Sequence, residues 1–80
     1  MKKTAFAEKN RIIELLSKKN IIPVSISEKQ YNFEIIFGSK KEKCCLNIYF
    51  GKNGVKKVLQ GKKDSQIYSS ISEVLGIQKA

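Results

Sequence analysis

The segment that decides the fold covers residues 44–54 and reads CCLNIYFGKNG. From Cys44 onward, every second side chain is apolar or a thiol, which predicts a strand that is buried on one face. The Asn-Gly pair at the end of the segment is the strongest short signal for a tight hairpin. The chain is therefore predicted to return as an antiparallel strand over residues 55–60. The facing of that strand stays open, because its apolar residues cannot all lie on one side: Val55, Val58 and Leu59.

Two further strands are predicted before this hairpin. Apolar residues recur at every second position in residues 22–27 and again in residues 31–37. Pro23 places the first of these strands at a sheet edge or at a strand start, since proline has no N–H to donate. Gly38 ends the second strand, and residues 39–43 form a charged turn. Short connections make all the strands antiparallel neighbours.

Helices are predicted on both sides of the strands. Apolar residues at helical spacing indicate a first helix that Thr4 caps and that runs to about residue 19. Asn20 suits the left-handed residue that ends a helix. A second helix begins after a cap at either Asp64 or Ser65, and Gly76 ends it.

The order helix, four antiparallel strands, helix predicts one α+β domain over residues 1–80, built as a two-layer sandwich. We expect both helices to cover one face of the sheet, which is made by Ile22, Val24, Ile26, Phe33, Ile35, Phe37, Leu46, Ile48 and Phe50. The other face stays open, as an antiparallel sheet permits. That open face carries Asn32, Glu34, Ile36, Asn47 and Tyr49.

Positive charge is concentrated on the predicted sheet. The chain has a formal net charge of +9, and residues 40–63 hold eight lysines against one acid, Glu42. A basic sheet and its turns predict a polyanionic partner, of which nucleic acid is the commonest. The candidate phosphate contacts are Lys40, Lys41, Lys43, Lys52, Lys56, Lys57, Lys62 and Lys63. Tyr49 either stacks on a base or sugar or pairs across the strands with its neighbours.

The sequence gives little indication of an active site, a metal site or a membrane-spanning segment. There is no histidine, and the acids are scattered over helices, caps and turns, so no paired-carboxylate site is visible. Cys44 and Cys45 are neighbours on a strand, so they point to opposite faces and are poorly placed to share a disulfide or a metal. We therefore expect a non-enzymatic protein without a cofactor. No apolar run is long enough to cross a membrane and no signal core follows the basic start, so a cytoplasmic protein is expected.

The segment that joins the last strand to the second helix, residues 60–65, permits two interpretations. Free N–H groups and the positive end of the helix dipole meet Lys62 and Lys63 there, which suits a phosphate. Alternatively, Asp64 or Ser65 only caps the helix and Gly61 relieves a tight bend.

Tyr49-Phe50-Gly51-Lys52-Asn53-Gly54, followed by Gln60-Gly61-Lys62 and a helix, resembles the N-terminal domain of bacterial ribonuclease HIII. That domain has the fold of one half of the TATA-binding protein, and its nuclease acids lie in a separate domain. The resemblance covers about 75 of the 80 residues, and the interval from the turn to Gln-Gly-Lys is about one residue longer here. It implies an accessory domain that grips an RNA–DNA hybrid through Tyr49, Lys52, Asn53, Gln60 and Lys62.

Helix, strands and helix is also the order of double-stranded-RNA-binding domains, but these have three strands. Only Lys62 and Lys63 match the lysine run that starts their last helix. We therefore expect a module that grips the backbone of duplex nucleic acid, such as an RNA–DNA hybrid, with low sequence specificity. The alternative is a protein-interaction module that forms a homodimer or docks a larger partner through its open sheet or its edge near Pro23.

Overall fold

The order of elements is helix, four strands and helix, as the sequence predicts. The structure is a computed structural model that describes residues 2–38, 41–51 and 54–76. Lys40, Lys52 and Asn53, three of the predicted contacts, lie outside the described residues. The elements are α1 (Lys2–Ser17), β1 (Pro23–Glu28), β2 (Asn32–Phe37), β3 (Cys44–Gly51), β4 (Gly54–Gln60) and α2 (Gln66–Leu75).

The strands form one antiparallel sheet in the order β1-β2-β3-β4. Ile35 on β2 lies between Ile26 on β1 and Leu46 on β3, and Leu46 in turn faces Leu59 on β4. The predicted meander of neighbouring hairpins is therefore confirmed. It places β2 and β3 in the middle of the sheet and leaves β1 and β4 at its edges.

The core lies between the sheet and the two helices. Its buried residues come from α1, β2, β3 and α2: Ala5, Ile12, Leu16, Phe33, Ile35, Phe37, Cys44, Leu46, Ile48, Tyr68 and Ile71. At one end of this core the Phe33 ring centroid lies 5.1 Å from that of Phe50 and 6.1 Å from that of Phe6. The helices therefore cover the face that the alternation on β2 and β3 predicts.

The facing of β4, which the apolar pattern leaves open, follows from its pairing with β3. Three residues of β4 lie on the covered face: Val55, Lys57 and Leu59. Each of them is paired with a β3 residue whose side chain points to the helices. Val55 and Leu59 pack against the core there. The alternate residues Lys56, Val58 and Gln60 therefore lie on the open face.

The helix ends agree with the sequence in part. The first helix already includes Lys2 and Lys3, so Thr4 lies inside its first turn and is not the cap. Asn20 has a φ of 62°, the left-handed conformation expected after this helix. At the second helix Ser65 is the cap, because its side-chain oxygen accepts a hydrogen bond from the Tyr68 N–H, and Gly76 ends the helix with a φ of 73°.

One expectation for the covered face is wrong. Ile22 and Val24 are each 69% exposed and Ile26 is 50% exposed, so the helices do not cover this strand. The alternation indicates which side of a strand is apolar, but not whether a second layer reaches it. Here the main contacts of α1 are with β3 and α2, and α1 reaches β1 at the end of the strand, where Lys2 pairs with Glu28. An irregularity between Pro23 and Ser25 also breaks the alternation at Val24.

Candidate functional site

The face of the sheet opposite the helices is predominantly polar. The register places on it Asn32, Glu34 and Ile36 from β2, Cys45, Asn47 and Tyr49 from β3, and Lys56, Val58 and Gln60 from β4. We call this surface the open face. Tyr49 is 40% exposed and lies between Asn32 on β2 and Lys56 on β4. An aromatic ring, an ammonium group and an amide thus share one row across three strands.

The centre of the open face is held by side-chain hydrogen bonds. Asn32 Nδ2 donates to Asn47 Oδ1 at 2.8 Å, and Asn47 Nδ2 donates to Cys45 Sγ at 3.5 Å. Asn47 is only 8% exposed although it lies on the uncovered side of the sheet. These bonds fix the amide groups in place and leave the exposed positions to Tyr49 and Lys56.

Lysines gather at the end of the sheet where β3 begins and β4 ends. Lys41 and Lys43 precede β3, while Lys62 and Lys63 follow β4. The two segments lie close together, since a Cβ on Gly61 would be 3.2 Å from the Lys43 carbonyl oxygen and 2.9 Å from the Cys44 sulfur. We call these four lysines the basic end. It adjoins the open face, because Lys43 is two residues before Cys45, which lies on that face.

The lysines of this region have no acidic partner among the described residues. The four ion pairs of the described residues involve other basic side chains: Lys2–Glu28 at 2.9 Å, Arg11–Glu8 at 2.9 Å, Lys29–Glu34 at 3.4 Å and Lys57–Glu8 at 3.3 Å. Glu34 is the one acid on the described open face, and Lys29 binds it. Lys56 and the basic end therefore keep their positive charge available to an external anion.

Lys57 lies apart from the other residues that were predicted to contact phosphate. It lies on the helix-covered face, where its ammonium group is 3.3 Å from a Glu8 carboxylate oxygen on α1. Arg11 donates to the same oxygen at 2.9 Å. The Arg11 guanidinium, and after it the Lys57 ammonium, lowers the pKa of Glu8. The charge of Lys57 thus serves to join β4 to α1.

This cluster predicts a pH dependence of stability. Because the folded pKa of Glu8 is lower than the unfolded one, the cluster stabilises the protein above the unfolded pKa and loses its effect as pH falls through the folded pKa. We expect Glu8→Gln to lower the free energy of unfolding at pH 7 by about 0.5–1 kcal/mol. Urea unfolding of the native protein and of the Glu8→Gln variant, measured from neutral to acidic pH, should show that their difference in free energy of unfolding disappears in acid. A difference that stays constant with pH would contradict this role of Glu8.

Both cysteines are unsuited to act as thiolates at neutral pH. Cys44 is buried against the helices, and that burial raises the pKa of its thiol. Cys45 points to the open face, as neighbours on a strand must. Desolvation and then the Glu34 carboxylate raise the pKa of the Cys45 thiol, and the nearby lysines and the Asn47 hydrogen bond offset this only in part.

The cap at Ser65 bears on the phosphate interpretation of residues 60–65. Ser65 is 8% exposed and accepts from the Tyr68 N–H at 3.1 Å, so one donor of this helix end already has a partner. Asp64 is exposed and is not the cap. The segment therefore contributes to the site mainly through the charges of Lys62 and Lys63.

The structure thus unites seven predicted contacts along one face and one end of the sheet: Lys41, Lys43, Tyr49, Lys56, Gln60, Lys62 and Lys63. Asn32 and Asn47 belong to the same surface, although the charge and the hairpin pattern did not mark them as contacts. Their alternation with Phe33 and Ile48 was the available signal.

Comparison of the chain with protein-family models, with curated proteins and with solved structures finds no significant match. In residues 2–38, 41–51 and 54–76, no helix is long and apolar enough to cross a membrane. The same ranges contain no group of three or more cysteines and acids that could hold a metal ion.

Proposed function

We propose that this chain is a non-catalytic nucleic-acid-binding module that grips duplex backbone through its open face and basic end. The observation that carries this proposal is the distribution of ion pairs. The acid on the described open face is bound by Lys29, whereas Lys56 and the basic end have no carboxylate partner among the described residues. A phosphate backbone would thus meet lysines without first breaking an existing ion pair.

The chemistry of the open face favours contacts to the backbone over base reading. The amides of Asn32 and Asn47 engage each other and Cys45, so they have few free groups for base edges. Lysine–phosphate contacts position a protein without identifying sequence. Tyr49 adds an exposed ring, which stacks equally well on any base or sugar. We therefore expect low sequence specificity.

The resemblance to the ribonuclease HIII N-terminal domain favours an RNA–DNA hybrid as the duplex. Two of the residues to which that resemblance gives a role, Tyr49 and Gln60, are on the open face, and Lys62 belongs to the basic end. A fold like one half of the TATA-binding protein is part of the same proposal. The cytoplasm is the proposed location.

Salt dependence tests the proposed mechanism. The five described lysines of this region should release counterions on binding, so we expect a slope of about −4 to −5 in a plot of log affinity against log salt concentration. Fluorescence anisotropy with DNA, RNA and hybrid duplexes of one sequence measures this slope and ranks the duplexes. Affinity that does not change with salt, or no binding to any duplex at low salt, would contradict the proposal.

A further inference from the structure

A cavity of about 240 Å³ lies where α1 ends, α2 begins and β2 connects to β3. Three separate parts of the chain supply the six residues that line it: Lys19, Ile21, Glu42, Gln66, Ile67 and Ser70. Sites for drug-sized ligands have volumes of roughly 300–1,000 Å³, so this cavity suits a smaller molecule.

The wall that follows α1 is held by two backbone hydrogen bonds. The Asn20 N–H donates to the Ser17 carbonyl at 3.0 Å. The Ile21 N–H donates to the Leu16 carbonyl at 2.9 Å. With the left-handed Asn20, these two bonds form the motif that commonly closes a helix. The backbone that carries Lys19 and Ile21 is therefore fixed by local structure.

The walls from the β2–β3 connection and from α2 meet at Gly38. A Cβ on Gly38 would collide with the Glu42 carbonyl oxygen and would lie 3.2 Å from Cδ1 of Ile67. The start of α2 is fixed in addition by the Ser65 cap on the Tyr68 N–H. The cavity is thus bounded by backbone that is in place before any ligand arrives, which lowers the cost of ordering on binding.

The cavity has one charge of each sign, and the two charges are not used by the fold. Lys19 and Glu42 both line it, yet they form no ion pair with each other or with another residue in the described ranges. Both side chains are exposed, so each remains available to a group of opposite charge on a ligand.

The rest of the lining is apolar or neutral. Ile21 and Ile67 are half-buried and pack against the core. The Gln66 amide and the Ser70 hydroxyl add groups that donate or accept hydrogen bonds. The ligand that matches this lining is a small molecule that combines an anionic group, a cationic group and an aliphatic part.

We propose that the cavity binds a free α-amino acid with an aliphatic side chain. The carboxylate of the amino acid pairs with Lys19, its ammonium group pairs with Glu42, and its side chain lies on Ile21 and Ile67. A ligand with only one charge leaves either Lys19 or Glu42 without a partner. The zwitterion is therefore preferred over its singly charged analogues. This site is independent of duplex binding, because none of these residues belongs to the open face or the basic end.

Three matched probes test the charge preference: L-leucine, L-leucinamide, which lacks the carboxylate, and 4-methylpentanoate, which lacks the ammonium group. Backbone NMR of the native chain during titration with each probe measures the affinities. We expect leucine to bind in the millimolar range and each analogue to bind at least about fivefold more weakly. The amide signals that shift should be those of Ile21, Glu42 and Ile67.

Two charge-removing variants assign the two ends of the ligand. Lys19→Gln should weaken leucine binding about fivefold without changing the affinity for leucinamide. Glu42→Gln should weaken leucine binding equally without changing the affinity for 4-methylpentanoate. Lys18→Gln is the matched control, because Lys18 is exposed and adjacent in sequence but does not line the cavity. That control should bind leucine like the native chain.

No leucine-dependent shift at tens of millimolar would overturn the proposal. So would equal affinity for the three probes, or a loss in Lys18→Gln as large as that in Lys19→Gln. Circular dichroism melting of each variant separates loss of binding from loss of the fold. Duplex binding measured on the same samples remains a separate test of the proposed function.

Discussion

Replacing Gly38 with alanine is expected to lower the free energy of unfolding by about 2–4 kcal/mol. Gly38 ends β2 with a φ of +84°, a left-handed conformation that an L side chain rarely adopts. A Cβ there would collide with the backbone carbonyl oxygen of Glu42 and would lie 3.2 Å from Cδ1 of Ile67 on α2. Because the carbonyl belongs to the backbone, the β2–β3 connection must shift to make room.

Such a loss is large for a domain of this size, whose total stability is on the order of 5 kcal/mol. Gly51→Ala is the matched control, because no heavy atom lies within 4 Å of a Cβ at that position. We expect that control to change stability by less than about 0.5 kcal/mol. Urea unfolding of both variants measures the difference. Equal stability of the two would show that Gly38 does not constrain the connection that leads to Lys41 and Lys43.

The second large effect concerns nucleic-acid affinity. Changing Lys43, Lys56 and Lys62 together to glutamine is expected to weaken duplex binding on the order of a hundredfold at about 0.1 M salt. The salt slope should become shallower by about 3, one for each lost phosphate contact. These lysines lie on the open face or the basic end, and no described carboxylate pairs with them.

The control for this variant removes three positive charges as well, but from α1 and the residues that follow it. Lys3, Lys18 and Lys19 are exposed, lie in or just after α1 and also have no ion pair with a described acid. Changing these three to glutamine lowers the net charge equally and should weaken binding less than about fivefold. Equal losses in the two triple variants, measured by anisotropy in the same buffer, would show that net charge alone drives the binding.

The sequence predicts the sheet better than it predicts what covers the sheet. Alternation on β2 and β3 identified the buried face, since both strands are central and lie under the helices. The same signal failed for β1, because Ile26 points to the covered side but stays 50% exposed. A strand pattern contains no information on the width of the second layer.

The facing of β4 shows a different limit. Lys57 lies on the covered face and Val58 on the open face, so hydropathy alone does not show which side of β4 is buried. Lys57 is tolerated there because Glu8, 49 positions away in sequence, supplies an ion pair from α1. The Asn-Gly hairpin predicts the facing of β4, because a two-residue loop puts Gly51 opposite Gly54 and therefore Tyr49 opposite Lys56. Counting back from the turn would have placed Lys56 on the open face.

The claim that the open face is the binding surface is tested most directly by backbone NMR of the native chain during titration with a short RNA–DNA hybrid. We predict that the amides whose signals shift most lie along the open face and basic end: Lys43, Cys45, Asn47, Tyr49, Lys56, Gln60 and Lys62. The amides of α1 and α2 should move little. Shifts concentrated on the helices, or an unchanged spectrum at low salt, would contradict the account.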